Sequence, residues 1–252
     1  MSGVSGAIND KRGTFILKSL SSLFLSVTLE LPIFPLGLVI AFLAAVIVLA
    51  EVLNRIMTSE VELTRKVVHI GAGNVILIAW WFHIPAWMGI GAAAIAAIIA
   101  LVSYFVPILP SINSVGRKSL GTFFYAVSMG ILIAAFFPQA PAYAAIGILT
   151  MAWGDGMAAL IGQDFGRHPY QVFGSTKSWE GSLTMAAVSY FICWSILLVT
   201  QGHLWQIWLI SLLISAIATS LEAISKLGVD NLTVPLVSGG FSFLLVQAFI
   251  HS

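Results

Sequence analysis

The sequence predicts an all-α protein, a polytopic transmembrane helix bundle of about eight spans, or nine if residues 14–31 also cross. Three observations predict it. Charged residues make up 8% of the 252, against about 25% in soluble domains. Mean hydropathy is +1.01. The apolar residues come in long unbroken runs, where a membrane barrel would show short alternating ones.

Windows of about 17–25 apolar residues mark the spans. Residues 14–31 are apolar but carry Lys18 and several serines, so they lie in the interface or form the ninth span. No clear small-residue cleavage site follows them, and no cleavable signal is expected. The first span, 32–53, opens at Pro32 and Pro35 and runs into a loop at 54–66 with Arg55, Arg65 and Lys66. Spans 67–84 and 85–106 lead to a loop at 107–119 with Arg117 and Lys118. Spans 120–137 and 142–161 open into a loop at 162–181 with Arg167 and Lys177. Spans 182–200 and 204–225 precede the loop 226–232, with Lys226, and the last span, 233–251. No repeat, low-complexity tract or linker is present. Residues 32–252 are therefore expected to form one membrane-embedded domain after an N-terminal segment 1–31.

The loops are asymmetric. The four charged ones hold eight of the eleven Lys and Arg residues, and the other three are N-terminal. The opposite loops, near 83–86, 138–141 and 201–204, hold no charge. The positive-inside rule makes the charged side cytoplasmic. Trp80, Trp81, Trp87, Tyr143, Trp205 and Trp208 gather at the other side, as an aromatic belt would. A net charge of +1 without a basic tract gives no support for nucleic acid as a partner. Cys193 stands alone in an apolar run and reads as a small core residue. Small residues recur every fourth position in three spans: Gly37, Ala41, Ala45; Gly89, Ala93, Ala97; Gly154, Ala158, Gly162. Such stripes let helices approach closely in lipid.

The chemistry gathers between Trp153 and Gly181. Asp155 follows the apolar run AIGILTMAW and precedes MAALIG, which places a carboxylate inside a span. An ionisable group at that depth costs roughly 3 kcal/mol on insertion scales and marks a functional site. Other polar clusters share the charged side: Glu62, Thr64, Arg65, Lys66 and His69; Gly116 to Gly121 with Arg117 and Lys118; Lys177 to Glu180; and Glu222, Lys226, Asp230 and Asn231. Asp155, Asp230 and Glu222 are oxygen donors suited to a hard cation such as Mg²⁺, shared with substrate phosphates. Arg65, Lys66, Arg117, Lys118 and Lys177 suit the phosphates themselves. Glycines such as Gly154 and Gly166 let backbone N–H groups reach an anion. A nucleotide with Mg²⁺ is a natural ligand for this mix.

Structural roles compete for several of these residues. Ser178 can cap the next helix, and Glu180 in its first turn suits the dipole. Lys177 beside the same helix start is unfavourable unless an anion is bound there. Arg65 and Lys66 can serve as topology anchors, and His69 as a satisfied bundle histidine. Glu222 and Lys226, four apart, can form a helix-end pair. No G-x-x-x-x-G-K-[ST] motif, protein-kinase set or nucleophile elbow is present, so the site must come from helix ends and loops.

The segments RKVVHIGAG (65–73), GRKSLGTFFY (116–125), GDGMAALIGQDFGRH (154–168), KSWEGS (177–182) and LEAISKLGVDNLTVPL (221–236) occur in this order. Together they resemble the polyprenol kinase family, which includes phytol, farnesol and dolichol kinases and the CTP-dependent diacylglycerol kinase. The likeness is strongest to the phytol kinase branch and covers roughly residues 60 to 240. Gln163 stands where many relatives have Arg, so no role is transferred to it. The resemblance implies a nucleoside triphosphate donor, CTP, with Mg²⁺ or Mn²⁺, and a lipid alcohol acceptor in the membrane. It implies that Asp155 binds the metal or accepts the alcohol's proton, with Lys177 and Glu180 beside it. Lys177, Arg117 and Lys118, with Arg65, Lys66, Gly154, Gly166 and Ser178, would hold the nucleotide. Asp230, Glu222 and Asn231 would assist the metal or nucleotide, with His69 nearby. Two other readings compete. A CTP:phosphatidate cytidylyltransferase would use the same donor, but its signature is absent. A small transporter would use Asp155 and Glu222 as an ion pathway.

Overall fold

An apolar run in a bilayer must satisfy every backbone N–H and C=O within itself, so it folds as a helix. All eight sequence-predicted runs do so in the computed structural model, which describes residues 32–56, 61–105 and 120–251, with only the backbone of 61 and 62. The N-terminal segment 1–31, Arg117 and Lys118 lie outside the described residues. The helices are α1 Ile33–Ile56, α2 Val61–Trp81, α3 Ala86–Phe105, α4 Gly121–Phe136 and α5 Pro141–Leu149, then α6 Gly156–Phe165, α7 Trp179–Gln201, α8 Trp205–Ile224 and α9 Asp230–Phe249. A π-helical turn, Thr150–Asp155, joins α5 to α6, so the two run as one rod, Pro141–Phe165.

Among the described residues six helices are long and apolar enough to cross a membrane: α1, α3, the α5–α6 rod, α7, α8 and α9. α4 has only 16 residues. α2 begins earlier than the sequence suggests and takes Arg65, Lys66, His69 and Asn74 into its helix, which dilutes its apolar character. To the expected all-α bundle the structure adds one element. Residues in the 162–181 loop form a two-stranded antiparallel hairpin, β1 Pro169–Val172 and β2 Ser175–Ser178, with Val172 opposite Ser175.

Pro35–Ser252 groups into one compact unit. Its most buried spanning element is the α5–α6 rod, packed by α2, α4, α7 and α9. The stripe at Gly154, Ala158 and Gly162 does what its spacing suggests. A Cβ on Gly154 would lie 2.6 Å from Met185 Sδ and 3.0 Å from Ser189 Oγ. One on Gly162 would lie 3.5 Å from Gly181 Cα. The stripe thus seats α7 directly on the rod. The Gly89 stripe packs likewise on Ile133 of α4, whereas a Cβ added at Gly37 would meet no neighbouring element within 4 Å. Cys193 is fully buried in the core. Trp81, Trp87, Trp205 and Trp208 are exposed, but Tyr143 is buried, packed edge-on to Phe136 and Phe243. It is a core aromatic, not part of the belt.

Candidate active site

The π turn delivers Asp155. A π turn inserts a residue into the helical ladder and often sits at functional sites. Here it widens the rod just where Gly154, Asp155 and Gly156 follow one another. Gly156 meets α2: a Cβ there would lie 2.7 Å from Ile70 Cγ1. Trp153 Nε1 donates to Asn74 Oδ1 at 3.1 Å, and Asn74 Nδ2 donates back to the Ile70 carbonyl at 3.0 Å. α2 and the π turn are therefore locked together in register.

That register brings Lys66 and His69 to Asp155. Lys66 Nζ donates to Asp155 Oδ2 at 2.5 Å, and the two side chains are 6% and 13% exposed. The topology-anchor role is thus corrected for Lys66, whose amine is buried against a carboxylate instead of sitting among lipid head groups. Arg65, on the same turn, acts electrostatically on Asp155. His69 Nε2 lies 3.9 Å from Asp155 Oδ2 and, though buried, has no hydrogen-bond partner among the described residues. Its ring stacks on Tyr125, centroids 4.1 Å apart, and the Tyr125 hydroxyl donates to the His69 carbonyl at 3.3 Å. Tyr125 lies in a segment that carries the family likeness, yet it offered no polar pattern by which to single it out.

A second ion pair stands beside the first. Lys177, on β2, donates to Glu222 at the end of α8, whose side chain is 8% exposed. This corrects one expectation: Glu222 pairs with a lysine 45 residues away and not with Lys226. Lys177 stands beside the start of α7, just before its cap Ser178, as expected, but it is on a strand and its amine meets a carboxylate. Burial works against the charge on Lys177, but Glu222, joined by Asp230 and Asp155, outweighs it and holds the amine above the usual lysine range. Three carboxylates from the π turn, α8 and α9 therefore act on one ammonium. Asp230 opens α9, and its Oδ1 accepts from the Asn231 backbone at 3.0 Å and the Asn231 side chain at 3.1 Å. The Asn231 carbonyl lies 2.9 Å from Ser128 Oγ, which ties that end of α9 to α4.

Other expected site residues are engaged in structure. Ser178 caps α7, its Oγ accepting from Gly181 N at 3.1 Å. A Cβ on Gly166 would come within 3.0 Å of Ser178 Cβ, so this glycine permits a tight passage from α6 to the hairpin. Gly154 is taken up by contact with α7. Glu180 Oε1 lies 2.6 Å from His168 Nδ1, and its Oε2 accepts from His168 N at 3.3 Å. Glu180 therefore clasps the hairpin base. Among the described residues no hydrogen bond or ion pair joins it to Asp155, Lys177 or Glu222.

The arrangement fits a divalent ion shared with a nucleotide. The acidic donors are carboxylate oxygens, hard ligands suited to Mg²⁺. Among the described residues no three His, Cys, Asp or Glu side chains form a cage able to hold a metal alone. Mg²⁺ ordinarily binds through one or two carboxylates plus substrate phosphates, so a cage is not required.

No family model and no solved structure matches the chain. Curated proteins do. The chain is 53% identical over 203 residues to the phytol kinase of Synechocystis sp., covering 80% of this chain and 87% of that protein. It is 30% identical over 220 residues to phytol kinase 1, chloroplastic, of Arabidopsis thaliana, with coverages of 77% and 70%. It is 26% identical over 214 residues to a probable phytol kinase 2, chloroplastic, of Glycine max, with coverages of 75% and 67%.

Proposed function

The chain belongs to the phytol kinase family, and we propose that it transfers the γ-phosphoryl group of CTP to the hydroxyl of phytol or a similar isoprenoid alcohol at the cytoplasmic membrane face. The chemistry rests on one arrangement: the buried pair Lys66–Asp155, with Asp155 in the π turn inside the α5–α6 rod, and the partly buried pair Lys177–Glu222, with Asp230 beside it. Without a ligand these charges satisfy each other. An incoming nucleotide and its metal ion offer each member a new partner. Lys177, a quarter exposed, turns from Glu222 to the phosphates, with Arg65 supporting it. Asp230 and Glu222 would hold the divalent ion, Mg²⁺ or Mn²⁺. Bound there, that ion would neutralise charge on the transferring group.

Asp155 faces the acceptor. The alcohol oxygen bonds to the γ-phosphorus as the bond to the β–γ bridging oxygen breaks, and CDP leaves. The hydroxyl proton passes to the Asp155 carboxylate, which Lys66 orients. Phosphoryl transfer asks for positioning and charge neutralisation more than covalent help, and this site is built of charges held in place by packed helices. The isoprenoid tail lies between spans.

The test is an assay in membranes with CTP labelled at the α or the γ phosphate, with phytol, geranylgeraniol or diacylglycerol as acceptor. Label from the γ position should enter phytol, and EDTA should abolish the transfer. Label from the α position in the lipid would mean nucleotidyl transfer and overturn the reading. Absence of transfer from CTP, ATP, UTP and GTP alike would overturn it as well.

A further inference from the structure

Two tight turns near the site carry the wrong residue for their shape. Between β1 and β2, Phe173 and Gly174 are the two central residues, with φ of 48° and 80°. Between α8 and α9, Val229 N bonds the Lys226 carbonyl at 3.1 Å, and the central pair is Leu227 and Gly228, with φ of 57° and 83°. Positive φ at both central positions defines the type I′ turn, where Asn, Asp or Gly is strongly preferred at the first. A bulky apolar side chain there is an outlier. This chain has one in both turns, each followed by glycine. Neither side chain goes to the core: Phe173 is 72% exposed and Leu227 77%. Strain at such a position points to a use for the side chain.

The two turns are neighbours. Lys226 Nζ lies 3.7 Å from where a Cβ on Gly174 would sit, so the hairpin tip rests against the α8–α9 turn. That turn joins two membrane-crossing helices through residues 225–229 only. Five residues, at about 3.3–3.6 Å each, cannot carry Leu227 far from the bilayer surface. The contact with Lys226 holds Phe173 at the same level. Exposed Trp179, where α7 begins, adds a residue type that favours the head-group region.

We propose that Phe173 and Leu227 insert together into the head-group layer of the bilayer and seat the hairpin on the lipid surface beside the site. The occupant of this apolar tip is lipid, because the turns are continuous with the spanning helices. Lys226, exposed between them, meets the phosphates of anionic lipid. The proposal rests on the chain's crossing a membrane and not on its reaction. Its consequence for the site is mechanical: Lys177 is on the same hairpin, so the lipid surface fixes the strand that presents it.

The test places cysteines at 173, 227 and 176, one per protein, labels each with the same environment-sensitive fluorophore, and reconstitutes the full chain in phosphatidylcholine–phosphatidylglycerol vesicles. Cys193 is fully buried, so the parent protein reports background labelling. Thr176 is exposed on the same hairpin and controls for insertion driven by the label itself. Lipids bearing a shallow nitroxide should quench the labels at 173 and 227 by at least about twofold more than at 176, and aqueous iodide should do the reverse, as expected of side chains inserted in the head-group layer. Iodide quenching at 173 or 227 equal to that at 176, with the nitroxide silent, would overturn the proposal. So would loss of the lipid signal at one of the two, because the turns are proposed to insert as a pair.

Discussion

Replacing Lys177 with Met is the sharpest perturbation of the site. Helix-dipole reasoning from sequence makes the lysine mildly unfavourable without a ligand, so its removal would raise stability slightly. The structure reverses the sign. Lys177 compensates Glu222, whose side chain is only 8% exposed. Removing one partner of a buried pair costs about 3–5 kcal/mol, because a bare charge stays behind. Two features lower that figure here. Lys177 is itself 25% exposed, so water already screens part of the attraction. In addition, the stranded carboxylate can escape by taking a proton, which at pH 7 costs a carboxyl of ordinary pKa about 3.7 kcal/mol and sets a ceiling. We expect Lys177→Met to lose about 2–3 kcal/mol. Glu222→Gln should lose less, about 1 kcal/mol, since the released ammonium can reach solvent. The double variant should be close to Glu222→Gln, giving a coupling of at least about 1 kcal/mol. The assay is unfolding of the purified protein and three variants in one detergent, without nucleotide, read by two independent probes. Additive losses in the double variant, or a Lys177→Met protein as stable as the parent, would refute the buried-pair reasoning. Turnover measured on the same proteins is a separate question, and it should fall in both single variants.

Two further variants probe the scaffold and the chemistry. Asp155→Asn keeps the shape and removes the charge; turnover should fall by at least about a hundredfold, the low end for a positioned proton acceptor, while circular dichroism shows the helices retained. Near-full activity would remove Asp155 from the centre of the site. Gly154→Ala forces a Cβ to 2.6 Å from Met185 Sδ and 3.0 Å from Ser189 Oγ, both on fully buried side chains, so stability should drop by about 1–3 kcal/mol, whereas at Gly37, where an added Cβ meets nothing within 4 Å, Gly37→Ala should leave the melting temperature unchanged or raise it slightly, alanine being the better helix former. Equal effects of the two glycine variants would mean that the stripe does not seat α7.

The helices were legible because a bilayer leaves an apolar run only one way to satisfy its backbone. The same signal, averaged over windows, misplaces polar helix ends. Arg65 and Lys66 read as loop residues because charge ends an apolar window, yet both lie on α2, and Lys66 is carried inward to meet a carboxylate that only tertiary packing supplies. The hairpin was illegible for a related reason. Four-residue strands have too few positions to show alternation, and its turn holds Phe173 where the expected chemistry is Asn or Asp. Glu222 shows the limit of local pairing rules. Lys226 lies four residues on, where a helix would bring it alongside, but α8 ends at Ile224. Past that end the chain bends into a tight turn and takes Lys226 to the hairpin tip, leaving Glu222 to the lysine on β2.

Asp155 was found from sequence because a carboxylate in an apolar run is costly, but its setting was not. Cost alone fits an ion pathway as well as a catalytic site. What separates them is the number and origin of its neighbours. Lys66 reaches it from α2, Lys177 feels it from β2, and Glu222 and Asp230 act on that same lysine from α8 and α9. A pathway needs polar groups strung along the rod, one after another, toward both surfaces. Here they close around one turn of it, and the turn is the π-helical one, where the extra residue breaks the regular ladder and glycines on both sides of Asp155 let α2 and α7 approach. The sequence displays those glycines as a packing stripe, but not the register shift between them. That shift aims Asp155 at a lysine 89 residues earlier, and it does so by a backbone irregularity that no side-chain period encodes.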